Sequence, residues 1–535
     1  IIVNNTNEYE GLLHKNNVIL DRHIRKDKII NDISLLLNKE KLQLKLDSSL
    51  LDEITGLVEF PNVMLGSIDN EFMSLPPLIV VGNPYKKEHL DYPDNLCLIP
   101  WTGFSNNPNG TVRPCCLYGE NIKDESGNDM YVQQNTLKEI FGSKHMKDLR
   151  EAFRENKKPS ACNTCWIDEK NNRKSKRLTY NNEVYQSLKE VDIDWRTEPD
   201  IPFEYQMIIS NSCNLKCRSC TPSHSSQWML EHEKYHGKGN TGYDLPHGQA
   251  GDKEGILWKD RHSWYPKLKR LEVVGGEPMY IKQWHQMFDE LIQLGYAKDI
   301  VLDMSTNANI LLKDKLIYWA DNFKRVGVGL SVDGLEKTYD YMRKLGEWET
   351  VLNNMEIYHD LATYYKEQDV ELHKELKSTG CKLNVQVSFT LSWLNALDLP
   401  RMHKLVEERF PNFRIWNNLV HYPEWMSLRY APQDMKDYIS SVWDKRDWKE
   451  YEGDIQGMQD FMDQPTVDEE TFKYFYSKNM FLDNHRKEDF LQVVPEYKPF
   501  LEKYITKNFY GSYINKYKDE PYGPTNSIPM VLLNE

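Results

Sequence analysis

Between residues 200 and 422 the chain alternates short β-rich runs with stretches of helical length. The runs are FEYQMIIS (203–210), LKRLEVVGG (268–276), DIVLDMSTN (299–307), RVGVGLSVDG (325–334), KLNVQVSFTL (382–391) and FRIWNNLVHY (413–422). Six strands alternating with helices predict parallel βαβ units. Several runs are nearly continuous in apolar residues, the pattern of strands buried on both faces. No glycine-rich dinucleotide fingerprint follows the first run, which favours a partial or complete βα barrel over an open doubly wound sheet.

The flanks read differently. Residues 1–90 mix a helical pattern (IINDISLLLNKEKLQ) with a strand-like run (PPLIVVGNP) and predict a small accessory domain. Residues 91–175 are rich in Asn, Gly and Pro, then helical, with cysteines at both ends, as in a small fold closed by a metal. A basic stretch, KNNRKSKRLTYNNE, reads as a linker into the barrel at 200–430. Residues 431–535 are dense in Tyr, Trp, Lys and Asp and predict helices packed on the core.

Composition narrows the partners. The 535 residues are 40% apolar and 12% aromatic, which fits a folded chain of several domains. Lys and Arg number 67 against 81 Asp and Glu, and a net charge of -14 opposes binding to nucleic acid or an anionic membrane. No apolar run is long enough to cross a membrane and the first residues lack signal-peptide character, so the expected location is cytoplasmic.

The nine cysteines are Cys97, Cys115, Cys116, Cys162, Cys165, Cys213, Cys217, Cys220 and Cys381. An odd, clustered set in a large chain reads as metal ligation and not as a disulfide framework. Three of them, in SNSCNLKCRSC, follow the first predicted strand at intervals C-x3-C-x2-C. Structural zinc wants four ligands, so this loop would need a His or a distant Cys to close a zinc site. On a four-iron cluster, three thiolates leave one iron open to a ligand.

This loop after the first strand of a βα barrel resembles the signature of radical S-adenosylmethionine (radical SAM) enzymes. Gly275, Gly276, Glu277 and Pro278, ending the second strand, match that family's GGEP segment, which implies contacts to the methionine ammonium of SAM. The resemblance further assigns Ser305 and Asn307 after the third strand, and Ser331 and Asp333 after the fourth, to the ribose and carboxylate of SAM. Read without it, these residues are strand and helix caps. Arg343 matches an arginine that follows the fourth strand in relatives with peptide substrates. The family places an aromatic residue just before the third cysteine; here it is Ser219, so adenine packing falls to Gln386 or Val387.

The upstream cysteines have their own spacing: Cys97, twelve residues, Gly110, four residues, Cys115, then Cys162-x2-Cys165. Four thiolates close either a zinc or an iron–sulfur site. The pattern resembles the SPASM and twitch auxiliary-cluster domains of radical SAM enzymes, which implies one auxiliary cluster, [4Fe–4S] in type. The spacing selects Cys115 over Cys116, and Cys381 reads as a core thiol. In this chain the module precedes the barrel, whereas the usual family order is the reverse.

The resemblance implies a [4Fe–4S] cluster on Cys213, Cys217 and Cys220, SAM as co-substrate, and an electron donor such as flavodoxin or ferredoxin. A peptide or protein is the expected substrate. A nucleoside, RNA or small metabolite is the second candidate, and a non-catalytic, metal-stabilised interaction protein the third.

Overall fold

The computed structural model describes residues 93–170, 174–184, 193–236, 247–368, 382–421, 423–464 and 467–504, and the backbone of four short strands before them. The chain divides into two compact units, Ile1–Leu96 and Cys97–Glu535. In the first, β1 (Ile2–Val3), β2 (Asn17–Leu20), β3 (Gln43–Leu46) and β4 (Met64–Ser67) pair in chain order as a parallel sheet. The helical pattern at 29–42 and the strand-like run at 76–84 lie outside the described residues, as does Cys381.

The second unit is built on one sheet. β5 (Gly103–Asn106), β6 (Val112–Arg113), β7 (Glu204–Met207), β8 (Arg270–Val273), β9 (Val301–Thr306), β10 (Arg325–Ser331), β11 (Leu383–Leu391) and β12 (Arg414–Leu419) take the order β12-β11-β10-β9-β8-β7-β5-β6. From β7 to β12 every neighbour is next in sequence and parallel. A doubly wound sheet would reverse its order at a switch point; consecutive parallel βα units without reversal are the arrangement of a βα barrel. All six expected strands are present, in the expected order.

Helices connect them. α1 (Leu137–Phe141), α2 (Lys144–Arg154), α3 (Asn163–Lys170) and α4 (Lys176–Thr179) precede β7. α5 (Ser226–His236), α6 (Lys282–Gln293), α7 (Lys313–Asn322), α8 (Glu336–Met342), α9 (Trp348–Gln368) and α10 (Leu399–Arg409) are interleaved with the barrel strands. α6 shows why such segments coil: Trp284, Met287, Phe288 and Leu291 recur at helical spacing and are buried. The expected C-terminal helices are α11 (Gln433–Trp443), α12 (Glu452–Met462) and α13 (Glu469–Arg486).

Two expectations change. Burial on both faces holds for β10, where Val326 to Leu330 are all buried, but not for β9 and β11: Leu302, Met304, Val326, Val328, Leu330, Val385, Val387 and Phe389 form one buried apolar face. The other face carries Arg270, Glu272, Asp303, Ser305, Asn384, Gln386 and Ser388, brought abreast by the strand register. The period of two that separates a core face from a polar face therefore holds along most of the sheet. Val387 lies on the buried apolar face and is 0% exposed, which removes it as a partner for adenine.

The basic stretch at 170–183 is not a free linker where it is described. Arg177 is buried and pairs with Glu169 at 2.7 Å, and the Tyr180 hydroxyl donates to Glu204 of β7 and lies 2.7 Å from the Thr102 hydroxyl. The upstream cysteine module is likewise no separate layer, because its β5 pairs with β7 (Gly103↔Glu204, Phe104↔Tyr205, Ser105↔Gln206) and extends the barrel sheet.

Candidate functional site

The C-terminal ends of β7 to β10 lead into the segments that hold 210–220, 275–278, 305–307 and 331–333, which gathers the expected site residues at one end of the sheet. Leaving β7, the chain turns on Ser210, whose Oγ accepts from Ser212 N at 3.1 Å. Cys213 N donates to Ser226 Oγ at 3.1 Å, and Cys220 N to Cys217 O at 3.2 Å. The loop thereby packs Cys213, Cys217 and Cys220 into one cluster with Leu215. Burial, reinforced by the neighbouring Cys217, pushes the Cys213 thiol up to about 12. Burial likewise raises Cys217 and Cys220. Burial thus favours the neutral thiols, and holding all three as thiolates would take a cationic group among them.

The GGEP turn presses on this loop. Gly275 and Gly276 have φ of 78° and 59°, and a Cβ at Gly276 would stand 2.5 Å from Ser212 O. Only glycine permits that approach. Gly276 N donates to His224 O at 3.2 Å and Glu277 N to Ser212 O at 2.9 Å, while Pro278 is buried at the turn. The Glu277 carboxylate is fully engaged within the chain. It accepts from Met279 N at 3.0 Å, from the Thr306 hydroxyl at 2.7 Å and from Asn307 N at 2.7 Å. Glu277 therefore ties the end of β8 to the end of β9.

Asn307 closes a second link, donating from Nδ2 to Asn214 Oδ1 at 2.8 Å inside the thiol loop. Asp333, 0% exposed, also has its carboxylate engaged: Thr390 N donates at 2.9 Å, Ser219 Oγ at 3.4 Å, and Arg343 pairs with it at 2.8 Å. Arg343 in turn directs Nη1 to Cys217 Sγ at 3.7 Å, and its buried Nε has no partner. Ser305, Ser331 and Gln386 share the open polar face, Ser305 and Gln386 flanking Gly329 in register. The expected residues thus fall into two groups: Glu277, Asn307, Asp333 and Arg343 braced against the thiol loop, and Ser305, Ser331 and Gln386 facing the polar side of the sheet.

The second thiol set also converges. Burial raises Cys97 well above the usual thiol range, and Cys115, Cys162 and Cys165 each raise it further, which places all four within electrostatic reach of one another. Burial also pushes Cys115 and Cys162 up to about 12. Gly119 N donates to Ala161 O at 2.8 Å and fastens the Cys115 turn to the Cys162 segment. Gly110 (φ 88°) lies against Gln133, where a Cβ would meet the side-chain oxygen at 1.8 Å. Cys116 points elsewhere: it is exposed and accepts from Lys176 Nζ at 3.1 Å.

Both sets fit an iron–sulfur group by their donors: soft thiols, buried or half-buried, and, at the first, a buried N–H of Arg343 with no partner in the chain. Zn–S bonds of about 2.3 Å would bring zinc thiolates within roughly 3.8 Å of each other. Among the described residues no three His, Cys, Asp or Glu side chains are arranged to hold a single ion.

Sequence reasoning missed two features. Arg218, between two of the loop cysteines, is fully buried. The polar face carries a charged row in which Arg270 pairs with Glu204 and, at 2.8 Å, with Asp303, which Arg325 approaches at 3.7 Å. An arginine inside a loop that enters the core was a signal for the first; only strand register reveals the second.

Comparison with known proteins agrees with the module. Residues 97–166 match SPASM, an iron-sulfur cluster-binding domain, over the segment where the auxiliary cysteines were expected. The match covers the upstream cysteine module, which in this chain joins a sheet whose first of six consecutive parallel βα strands is followed by the three-cysteine loop. Residues 1–87 match a different family, the glycyl-tRNA synthetase beta subunit. There the chain is 34% identical over 88 residues to the glycine–tRNA ligase beta subunit of Dictyoglomus turgidum, covering 16% of this chain and 13% of that one. It is 38% identical over 81 residues to that of Helicobacter pylori, covering 15% and 12%. The chain thus spans only about an eighth of these curated relatives. Among solved structures, anSMEcpe with bound AdoMet and Cp18Cys peptide aligns at 19% identity and TM-score 0.27, over 45% of this chain and 58% of that one. Streptococcus suis SuiB bound to precursor peptide SuiA aligns at 15% and 0.24, over 50% and 51%. Among the described residues no helix is long and apolar enough to cross a membrane.

Proposed function

We propose that the chain is a radical SAM enzyme acting on a peptide or protein. The observation that carries this reading is a three-thiol loop with Cys213 and Cys217 buried and Cys220 half-buried, and against Cys217 the buried cation Arg343, whose Nε has no partner in the chain. Cys213, Cys217 and Cys220 would hold a [4Fe–4S] cluster, which when bound would supply the one electron needed to split the sulfonium C–S bond of SAM into methionine and a 5′-deoxyadenosyl radical able to take hydrogen from an unactivated C–H bond.

The chain's own residues position and shield. Gly275 to Pro278 offer backbone polar groups beside the loop, and Asn307 fixes Asn214 within it. Asp333 aims Arg343, whose free Nε–H is the donor for an anionic group. Ser305, Ser331 and Gln386 line the open polar face, where the nucleoside and then the substrate would lie. Cys97, Cys115, Cys162 and Cys165 hold the auxiliary cluster, [4Fe–4S] in this reading, in the role of electron acceptor; flavodoxin or ferredoxin is the reductant. The SPASM match supports a peptide substrate through the resemblance to peptide-modifying relatives.

Anaerobic reconstitution with iron and sulfide, then SAM and dithionite, tests the reading. 5′-Deoxyadenosine should form, and Cys213→Ala should abolish it. Zinc in place of iron, with no SAM cleavage, would return the chain to the interaction-protein class. Deuterium passing from a labelled peptide into 5′-deoxyadenosine would establish the substrate class.

A second reading, an RNA-linked substrate, is favoured by the match of residues 1–87 to a tRNA ligase subunit. The charge of -14 opposes it, and Lys176 and Arg177 of the basic stretch are already engaged. Steeply salt-dependent RNA binding would support it, and salt-insensitive behaviour would count against it.

A further inference from the structure

Arg218 stands between Cys217 and Cys220 and its side chain is 0% exposed. A fully buried charge persists only with partners, and those of Arg218 come mostly from the C-terminal helices. Its Nη1 donates to Asn479 Oδ1 at 2.9 Å, and Nη2 donates to Asp483 and, at 2.6 Å, to Glu488. Asn479 and Asp483 stand four residues apart on α13, so one helix face presents both. The guanidinium carbon lies 3.7 Å over the Tyr341 ring, and the Tyr341 hydroxyl donates to Asp483 at 2.8 Å. Backbone bonds hold the same stretch: Lys216 N to Lys344 O at 3.1 Å and Arg218 N to Met342 O at 2.8 Å.

The helix grips the loop from another side as well. Arg486, at the end of α13, donates to Glu231 at 2.8 Å and lies 4.9 Å over the Trp228 ring. Trp228 donates from Nε1 to Cys217 O at 2.9 Å, and Glu231 also pairs with Lys216. Within itself the thiol loop has little to hold it, chiefly Cys220 N to Cys217 O and Leu215 N to Cys213 Sγ at 3.4 Å.

We propose that α13 is the ordering element of the three-thiol loop, and that Arg218, Asp483 and Arg486 are positioning residues for the iron–sulfur group carried there. The inference rests on the reading of Cys213, Cys217 and Cys220 as its ligands. On this view the C-terminal helices are part of the SAM-cleaving unit, because the thiol tripod keeps its spacing only while α13 is docked.

The test uses the full chain, reconstituted anaerobically in a Cys162→Ala background so that one cluster is observed. Arg218→Met combined with Asp483→Asn removes a buried charge together with its counter-charge and leaves the Lys344–Glu488 pair in place. The double variant should unfold at a temperature close to its parent, yet lose iron to a chelator roughly tenfold faster, as expected for lost charge-assisted hydrogen bonds. Its low-temperature EPR line should broaden and its response to added SAM should diminish. Parent-like chelation rates and EPR lines would overturn the proposal. So would an equal rise in iron loss from the auxiliary site when the same pair is changed with Cys162 intact. Cys213→Ala is the control on the ligand reading: if iron content at this site survived that change, the ligand assignment would fail, independently of the brace.

Discussion

Nη1 of Arg343 lies 3.7 Å from Sγ of Cys217, on a guanidinium held in place by the Asp333 carboxylate at 2.8 Å. A cation and hydrogen-bond donor beside a cluster thiolate favours the reduced form, since the added electron makes the thiolate side more negative. Asp333→Asn weakens the hold on Arg343, and Arg343→Gln removes the charge outright. Arg343→Gln should lower the midpoint potential by roughly 60–130 mV, the equivalent of one charge-assisted hydrogen bond in a one-electron couple. Asp333→Asn loosens the guanidinium but also removes an anion, so its potential should lie above that of Arg343→Gln. EPR-monitored redox titration measures both, and an unchanged potential in Arg343→Gln would refute the role.

The two thiol sets should respond independently to substitution. Cys97→Ala or Cys162→Ala should lower iron and sulfide per chain while leaving the signal of the Cys213, Cys217 and Cys220 site. Cys116→Ala should leave both unchanged, because Cys116 is exposed and faces Lys176. Iron and sulfide analysis of the reconstituted variants decides this; iron loss in Cys116→Ala would exchange its assignment with that of Cys115.

Gly276→Ala should destabilise the chain and disturb the thiol loop together. The position has φ of 59°, and a new Cβ would stand 2.5 Å from Ser212 O, a backbone atom that moves only with the loop itself. Backbone strain of this kind costs about 1–3 kcal/mol. Gly453→Ala, on α12 with nothing within 4 Å, should be neutral to stabilising by about 0.5–1 kcal/mol. Chemical unfolding of the two variants beside the parent gives the comparison.

Much of this was legible along the chain, for a physical reason. Strand order, the thiol loop and the GGEP turn are local in sequence, and residues such as Cys213 and Gly276 announce their chemistry by type and spacing. What stayed hidden depends on partners far along the chain. Arg218 meets Asn479 and Asp483 more than 250 residues later, and no spacing rule connects them. Glu277 and Asp333 were expected to face a ligand, yet their carboxylates are engaged by Thr306, Asn307, Thr390 and Arg343, groups that strand pairing brings abreast. The polar face was missed because several runs are nearly continuous in apolar residues, and the polar positions between them, such as Asp303 and Gln386, line up as one face only once the strand register is known.

Acid should weaken the packing of the C-terminal helices through His403. Its ring is buried on α10, makes a 3.3 Å contact from Nε2 to Asn417 Oδ1 of β12, and packs edge-on against Trp448 and Tyr451. Burial lowers its pKa to about 4; the Asn417 bond opposes this, and of the nearby charges Arg446 lowers it while Glu407 and Glu450 raise it. In the unfolded chain the pKa is about 6.5. Between these values the unfolded state binds a proton that the folded state does not, so stability is retained above about pH 6.5 and falls as pH drops toward 4. The full loss amounts to about 3 kcal/mol. His403→Gln, neutral throughout, should flatten this part of the acid limb while lowering stability at pH 7 by its poorer fit. Urea unfolding of parent and variant at several pH values between 4 and 7 measures the difference in slope. Parallel curves would mean that His403 is already protonated in the folded chain.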